Sequence, residues 1–369
     1  MTRSAPPRAA RAIAARYVVP GDGRILAPGV IAWDAGGRVV SIRRARRQRI
    51  RNVAVMPGLV NAHAHLQLPA LEPAERRFLP WVSAVMRSRA GQTAREQRRA
   101  AAEAMRELLG DGVTAVGEID STGQTPAATA RTPLAGRCYR ELTGFDLGRG
   151  AARRMVDERW PCEAGSMLPG LSPHAPYSVS GELLQAAARR TRHLAIHCAE
   201  LPEEQEFLHT GGGPFRDLLA RLGKLPDGHR APGTGAVRWL QRLAVLGPRS
   251  LLVHCQELER GDAARIAAAG ACVVVCPGTI EYFGRTPPDV PAWLARGIPV
   301  ALGTDSRASN TALSLRQELT RAAVMWPTLS PTQLFAMATI HGGRALSGPF
   351  GRLRRGGRAD LIAVPARDS

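Results

Sequence analysis

Between residues 53 and 345 short apolar runs and amphipathic stretches take turns, and this alternation restricts the possible folds more than any other feature of the chain. The runs VAVMPGLVNAH, GVTAVGEID, GRCYRELTG, GSMLPGLSPH, HLAIHCAE, SLLVHCQE, ACVVVCPG and IPVALGTD read as eight strands. Segments such as REQRRAAAEAMRELLGDG, SGELLQAAARRT, GTGAVRWLQRLA, ERGDAARIAAAG and SLRQELTRAAVMW separate most of them. Their apolar residues recur near a 3.6-residue period and glycine marks their ends, as in helices. Eight strands, each broadly followed by a helix, predict an α/β chain folded as a (β/α)8 TIM barrel. Residues 11–50 instead carry β-branched runs punctuated by Gly-rich turns, and a similar run, RADLIAVPA, returns at 358–366. The expected organisation is a barrel over 57–345 with a small β-sandwich built from both chain ends, 1–56 and 346–369. Residues 1–10 are expected to be unordered.

Barrels of this kind hold their chemistry at the C-terminal rim of the strands. Five of the nine histidines, His63, His65, His174, His197 and His254, fall at predicted strand ends. His63 and His65 form H-x-H, and residues two apart on a strand point to one face, so both imidazoles can converge on one ion. That spacing alone fits packing as well as ligation. His197 closes LAIHCAE with Glu200 three residues on, His254 closes SLLVHCQE, and Asp305 closes PVALGTDS. Three imidazoles, one carboxylate and a water suit Zn2+ or Fe2+ at an open catalytic site.

The strings PGLVNAHAH, SPHAPYS, IHCAE, VHC and ALGTDSRASN, in that order, resemble the amidohydrolase superfamily, in particular its metal-dependent deaminases and chlorohydrolases of nitrogen heterocycles. GGRALSGPFGRLRRGGRADLIAV resembles the C-terminal end of that branch, so the resemblance spans nearly the whole chain. Within the branch, EEQEFLHTGGGPFRDLLARLG is similar to a group of aminodeoxyfutalosine deaminases, which serve one menaquinone route. The resemblance implies that His63, His65, His197 and Asp305 hold one divalent metal, Zn2+ first and Fe2+ second. It makes Glu200 the acid that protonates a ring nitrogen, His254 the histidine that orients the metal-activated hydroxide, and His174 a substrate contact. Asp305 takes the proton of that hydroxide and ammonia leaves. The implied substrate is an aminopurine nucleoside, aminodeoxyfutalosine first and adenosine-type thioethers next; a guanine-type deaminase or a heterocycle dechlorinase is the alternative. A non-catalytic metal-binding barrel is a further reading, set against the presence of every ligand and both proton-transfer residues.

Other positions are weighed from the residues themselves. Binuclear relatives often use a carboxylated lysine at the end of strand four, but Lys224, the only lysine, sits in ARLGKLPDG away from any strand end. Glu141 is the alternative bridge, and one metal is expected. Glu118 and Asp120 end the second strand as substrate contacts or as partners behind a ligand. Trp81, with Phe78, lies in the loop after strand one, lining the pocket or packing that loop. After strand seven, where relatives carry Asn or His, the chain has Thr279, Glu281 and Tyr282, with Arg285 close enough to meet an anionic group. His193 and His341 read as surface or packing residues, and His209 and His229 as solvated loop residues, with contact to the substrate as their alternative.

Net charge is +19, from 50 Lys+Arg against 31 Asp+Glu, yet all but one of the basic residues are arginine, the mark of a GC-rich coding sequence. The run RRARRQRIR (43–51) reads as a solvated turn, and 5% aromatic content offers no platform for stacked bases, so nucleic acid is not an expected partner. No apolar run reaches the roughly 18 residues of a membrane span. The N-terminal segment lacks the apolar core of a secretory signal, which makes the cytoplasm the default location. Cys138, Cys162, Cys198, Cys255, Cys272 and Cys276 show no paired spacing and read as structural thiols. HExxH, GxSxG, Walker and H-x-E…P-C-x-x-C motifs are absent, and TGGGPFRD resembles a phosphate loop only superficially. The expected partner is a small heterocyclic molecule, and a homodimer follows only from the general habit of such barrels.

Overall fold

The computed structural model describes residues 10–130, 132–160 and 167–366. The expectations for residues 1–9 and for Cys162 lie outside them. The chain opens with strands β1 (Arg11–Val18), β2 (Gly29–Trp33), β3 (Val39–Arg44) and β4 (Arg51–Pro57). Eight further strands follow: β5 (Leu59–Ala64), β6 (Val113–Asp120), β7 (Ala135–Leu142), β8 (Met167–Pro173), β9 (Leu194–Cys198), β10 (Ser250–His254), β11 (Cys272–Val275) and β12 (Val300–Leu302). The last, β13 (Leu361–Pro365), returns to pair antiparallel with β4.

β5 to β12 pair in strict sequence order, every recorded pairing parallel, with helices in the connections. This is the (β/α)8 barrel. Its interior holds many small residues, among them Ala62, Ala115, Ala135, Ala195 and Ala301, packed with the larger Ile119, Tyr139 and Leu251. Leu346 and Phe350 close the floor, where Arg137 Nε donates to the Leu346 carbonyl. The outer faces of the strands pack on the helices through a continuous aliphatic layer that includes Leu66, Met105, Leu108, Leu183, Leu252 and Leu302. Barrel closure falls between β5 and the turn after β12: Ala64 bridges Asp305, and the Thr304 and Asp305 N–H groups both donate to the His63 carbonyl at 3.1 Å.

Both chain ends build one mixed sheet in the order β13-β4-β1-β2-β3. Ala15, Val18, Ile31, Val39, Val55 and Leu353 form its core.

Two local readings need correction. VAVMPGLVNAH is not one strand; it breaks at Gly58, sending β4 to the terminal sheet and β5 to the barrel. A Cβ on Gly58 would lie 2.1 Å from Thr114 Oγ1, so only glycine permits the crossing. Phe78 and Trp81 lie on a helix, Phe78–Ala90, rather than in a loop. Pro80 falls in its first turn, where no N–H is needed.

Candidate active site

Each β-strand of the barrel delivers its last residues to one rim, and the inward-facing polar residues of β5, β9, β10 and β12 meet there. Asn61, His63 and His65 alternate along β5 and its end and are all buried. Asn61 fastens the closure: its Nδ2 donates to Thr304 Oγ1 at 2.8 Å, and the Thr304 N–H returns to its Oδ1 at 3.1 Å. His65 Nε2 stands 3.4 Å from His197 Nε2 and 3.7 Å from Asp305 Oδ1, while His63 Nε2 is 3.6 Å from the same oxygen. Thr279 Oγ1 donates to Asp305 Oδ2 at 3.0 Å, leaving Oδ1 to face the imidazoles. His254 joins the cluster, its ring centroid 5.5 Å from that of His197 and 5.9 Å from that of His63. Within it, His63, His65 and Asp305 form one compact donor group and His63, His197 and His254 another.

Strain accompanies the arrangement. Ala199, His254, Cys255 and Asp305 all have φ between +50° and +74°, a conformation that non-glycine residues seldom adopt. They lie where β9, β10 and β12 end and the chain turns at the rim.

The donor set fits a divalent metal. Both ring nitrogens of His63 are buried without a hydrogen-bond partner, which is costly unless something else binds them. His197 Nδ1 faces the His174 carbonyl at 3.1 Å, which fixes the proton on Nδ1 and turns the lone pair of Nε2 toward His65. Zn–N bonds of roughly 2.0–2.1 Å imply ligand-to-ligand edges of about 3.4 Å in a tetrahedron. The spacings above match. Burial pushes His197 and His254 down to about 3, His174 to about 4, and His65 well below its ordinary value, so these four imidazoles are neutral at pH 7. Burial works to raise Asp305, but the close approach of His63, together with His254 and His65, holds it well below the usual carboxylate range.

Glu200 lies just beyond β9, 5% exposed, its Oε1 3.8 Å from His254 Nε2. His174 Nδ1 is engaged by Ser178 Oγ at 2.6 Å. Arg285 meets an anionic group of the protein itself, donating to Glu200 Oε1 at 3.0 Å. Trp81 packs beside the site, its Nε1 donating to the Ala308 carbonyl at 2.7 Å. Of the two readings of Glu118, its surroundings fit the partner behind a ligand: it is fully buried and its oxygens accept from the Leu66 N–H (2.9 Å) and the Thr125 hydroxyl (3.0 Å). It braces the turn after His65 rather than meeting a substrate. Asp120 caps the turn after β6 through the Thr122 and Gly123 N–H groups.

His341 bonds the Val300 carbonyl at the start of β12, His209 pairs with Glu259, and His229 stacks on Phe207. Lys224 is exposed, and the run 43–51 is a largely exposed turn. Cys138, Cys198, Cys255, Cys272 and Cys276 are all buried.

Sequence reasoning missed Asn61, Glu204 and Arg89. Asn61 had a signal, since it shares the strand face of His63 and His65. Arg89 sits on the helix Phe78–Ala90 and reaches Glu141 at 3.6 Å, a pairing that no spacing announces.

Comparison with known proteins follows the same lines. An aminodeoxyfutalosine deaminase of Deinococcus radiodurans is 35% identical over 322 residues, 82% of this chain and 75% of that protein. The crystal structure of Helicobacter pylori aminofutalosine deaminase with methylthio-coformycin superposes with a TM-score of 0.84 at 20% identity, covering 97% of this chain and 93% of the other. A zinc-containing adenosine deaminase from Xanthomonas campestris superposes at 0.77 and 22% identity, covering 96% and 84%. The amidohydrolase family pattern matches residues 54–368, which takes in every rim residue described above as well as the returning strand β13. By pattern, barrel and rim together, the chain belongs to the amidohydrolase family.

Proposed function

We propose that this protein is a metal-dependent hydrolytic deaminase of an aminopurine nucleoside, with aminodeoxyfutalosine as the first candidate substrate. The observation that carries the reading is the placement of Glu200 and His254, 3.8 Å apart, beside the cluster of His63, His65, His197 and Asp305. The 35% identity to an aminodeoxyfutalosine deaminase supports the choice of substrate.

A divalent ion held by His63, His65, His197 and Asp305, zinc by preference for this nitrogen-rich set, would supply Lewis acidity and a water that ionises near neutral pH. The chain's own groups manage the protons. Asp305 Oδ1, kept ionised, accepts a proton as the water oxygen adds to the ring carbon that bears the amine. Glu200 delivers a proton to the adjacent ring nitrogen, and positioned acids of this kind contribute roughly 10²–10⁴-fold in rate. Asp305 then passes its proton to the amine, the carbon–nitrogen bond breaks and ammonia leaves, while the new hydroxyl proton returns to Glu200 and leaves a ring carbonyl. His254, neutral at pH 7, stands where it can accept a hydrogen bond from the attacking water. His174, with Nδ1 occupied by Ser178, has Nε2 left to meet the substrate.

The test is ammonia release by zinc-loaded protein from aminodeoxyfutalosine, adenosine, 5′-methylthioadenosine, guanine and a chlorotriazine, with Asp305→Asn as the blank. Release from a nucleoside, reduced at least about 10³-fold in the variant, is expected. Release from guanine alone, chloride from the triazine, or no product at all would overturn the substrate assignment.

A further inference from the structure

Glu200 is reached by Arg285, which belongs to the segment after β11. Nη1 of Arg285 donates to Glu200 Oε1 at 3.0 Å, the same oxygen that faces His254 Nε2 at 3.8 Å. Among the described residues this is the only hydrogen bond made to the Glu200 carboxylate; the Glu200 N–H is held separately by Glu204 Oε2 at 2.8 Å. Two phenyl rings fix the guanidinium in turn. Its Cζ stands 4.5 Å from the Phe283 ring centroid and 5.2 Å from that of Phe78, and its side chain is 14% exposed. Nη2 is buried and makes no hydrogen bond, so the ring faces and Glu200 are what hold the group.

A permanent cation this deep, beside a cluster shaped for a second cation, is costly unless its partner compensates it. The partner is the one carboxylate that the reaction needs in a single orientation. A charge-assisted hydrogen bond from arginine restricts a carboxylate more strongly than a neutral donor does, whereas the 3.8 Å approach of His254 is too long to fix it. We propose that Arg285 is a positioning residue: it acts through Glu200, holding that carboxylate toward His254 and the cavity, with Phe78 and Phe283 holding Arg285. The proposal rests on the deaminase reading above for its rate effects, though not for its geometry. It ties the segment after β11 and the helix Phe78–Ala90 to the acid carried by β9.

A cycle of zinc-loaded wild type, R285A, E200Q and R285A/E200Q, with R285K alongside, tests it by ammonia release from aminodeoxyfutalosine and adenosine. R285A is expected to lower kcat about 100-fold, with KM held within about threefold. R285K, retaining charge without the planar fork, should recover about tenfold of the loss. In the E200Q background the arginine substitution should change kcat by less than about twofold, because the group it acts through is gone. A rise in KM with kcat intact, or the full loss repeated on E200Q, would overturn the proposal. The crystal structure of R285A gives an answer independent of activity. The Glu200 carboxylate is expected to leave His254; one that stays at the present 3.8 Å overturns the proposal, whatever the assays show. A displaced carboxylate in a protein whose wild type is silent on both nucleosides would sustain the positioning role and count against the deaminase reading. If R285A does not fold, R285K carries the same kinetic and crystallographic comparisons.

Discussion

Glu204, one helical turn beyond Glu200, is fully buried, and only one of its carboxylate oxygens is engaged; Oε1 has no partner. Burial, aided by the neighbouring Glu200 charge, pushes its carboxyl up to about 8 against the pull of two backbone N–H groups. The folded protein therefore keeps a proton that the unfolded chain releases near the ordinary glutamate value. Stability from this group is full at acid pH and drains away as pH rises toward 8, at up to about 1.4 kcal/mol per unit. Buried histidines bias the absolute curve the other way below about pH 6.5, so the test is the difference: between about pH 5 and 8 the thermal midpoint of Glu204→Gln should gain steadily on that of wild type. Parallel curves would contradict the assignment. Nothing in PEEQE distinguishes Glu204 from Glu203, since burial depends on which face of the helix meets the barrel. His63, His65, His197, Glu200, His254 and Asp305 were legible because strand ends in a barrel share one rim. For Glu118 the sequence left two readings open, and the bonds from Leu66 and Thr125 to its carboxylate favour the one behind a ligand.

Strand ends with short turns place the ligands, and close backbone approach sets their spacing. Gly303, between β12 and Asp305, would bring an added Cβ to 2.9 Å from the His63 Cβ, the His63 carbonyl oxygen and Val274 Cγ1. Gly303→Ala should fold at a cost of about 1–3 kcal/mol in denaturant unfolding, as overpacked cores do. By moving His63 against Asp305 it should also weaken zinc at least about tenfold in a competition titration. Unchanged zinc affinity would show that the barrel yields elsewhere. The alternation of strands and helices was plain in the sequence because each element buries one face at its own period. The break at Gly58 was not, since β4 and β5 are apolar on both sides of it and only pairing partners separate them. The helix Phe78–Ala90 was hidden by Pro80 and by a stripe that packs on loops, with Val85 its one buried residue.

At the level of the molecule, one cluster joins elements from the whole length of the barrel. Purified protein saturated with zinc should hold one ion per chain, and two would refute the single-site reading. Chelation should abolish ammonia release and lower the thermal midpoint, and one equivalent of zinc should restore both. A ligand present at a hundred times its dissociation constant adds about 2.7 kcal/mol to folding stability. No helix among the described residues is long and apolar enough to cross a membrane. The seam between β5 and β12 has one further consequence. Asn61 and Thr304 meet across 243 residues of chain, and His63 meets Asp305 at the same join. A chain still being synthesised can present His63, His65 and His197, but it has no carboxylate to finish the set until its eighth barrel strand emerges. Metal capture at full strength is thus a report that translation has passed Asp305, and a prematurely terminated chain would leave the ribosome with its site open.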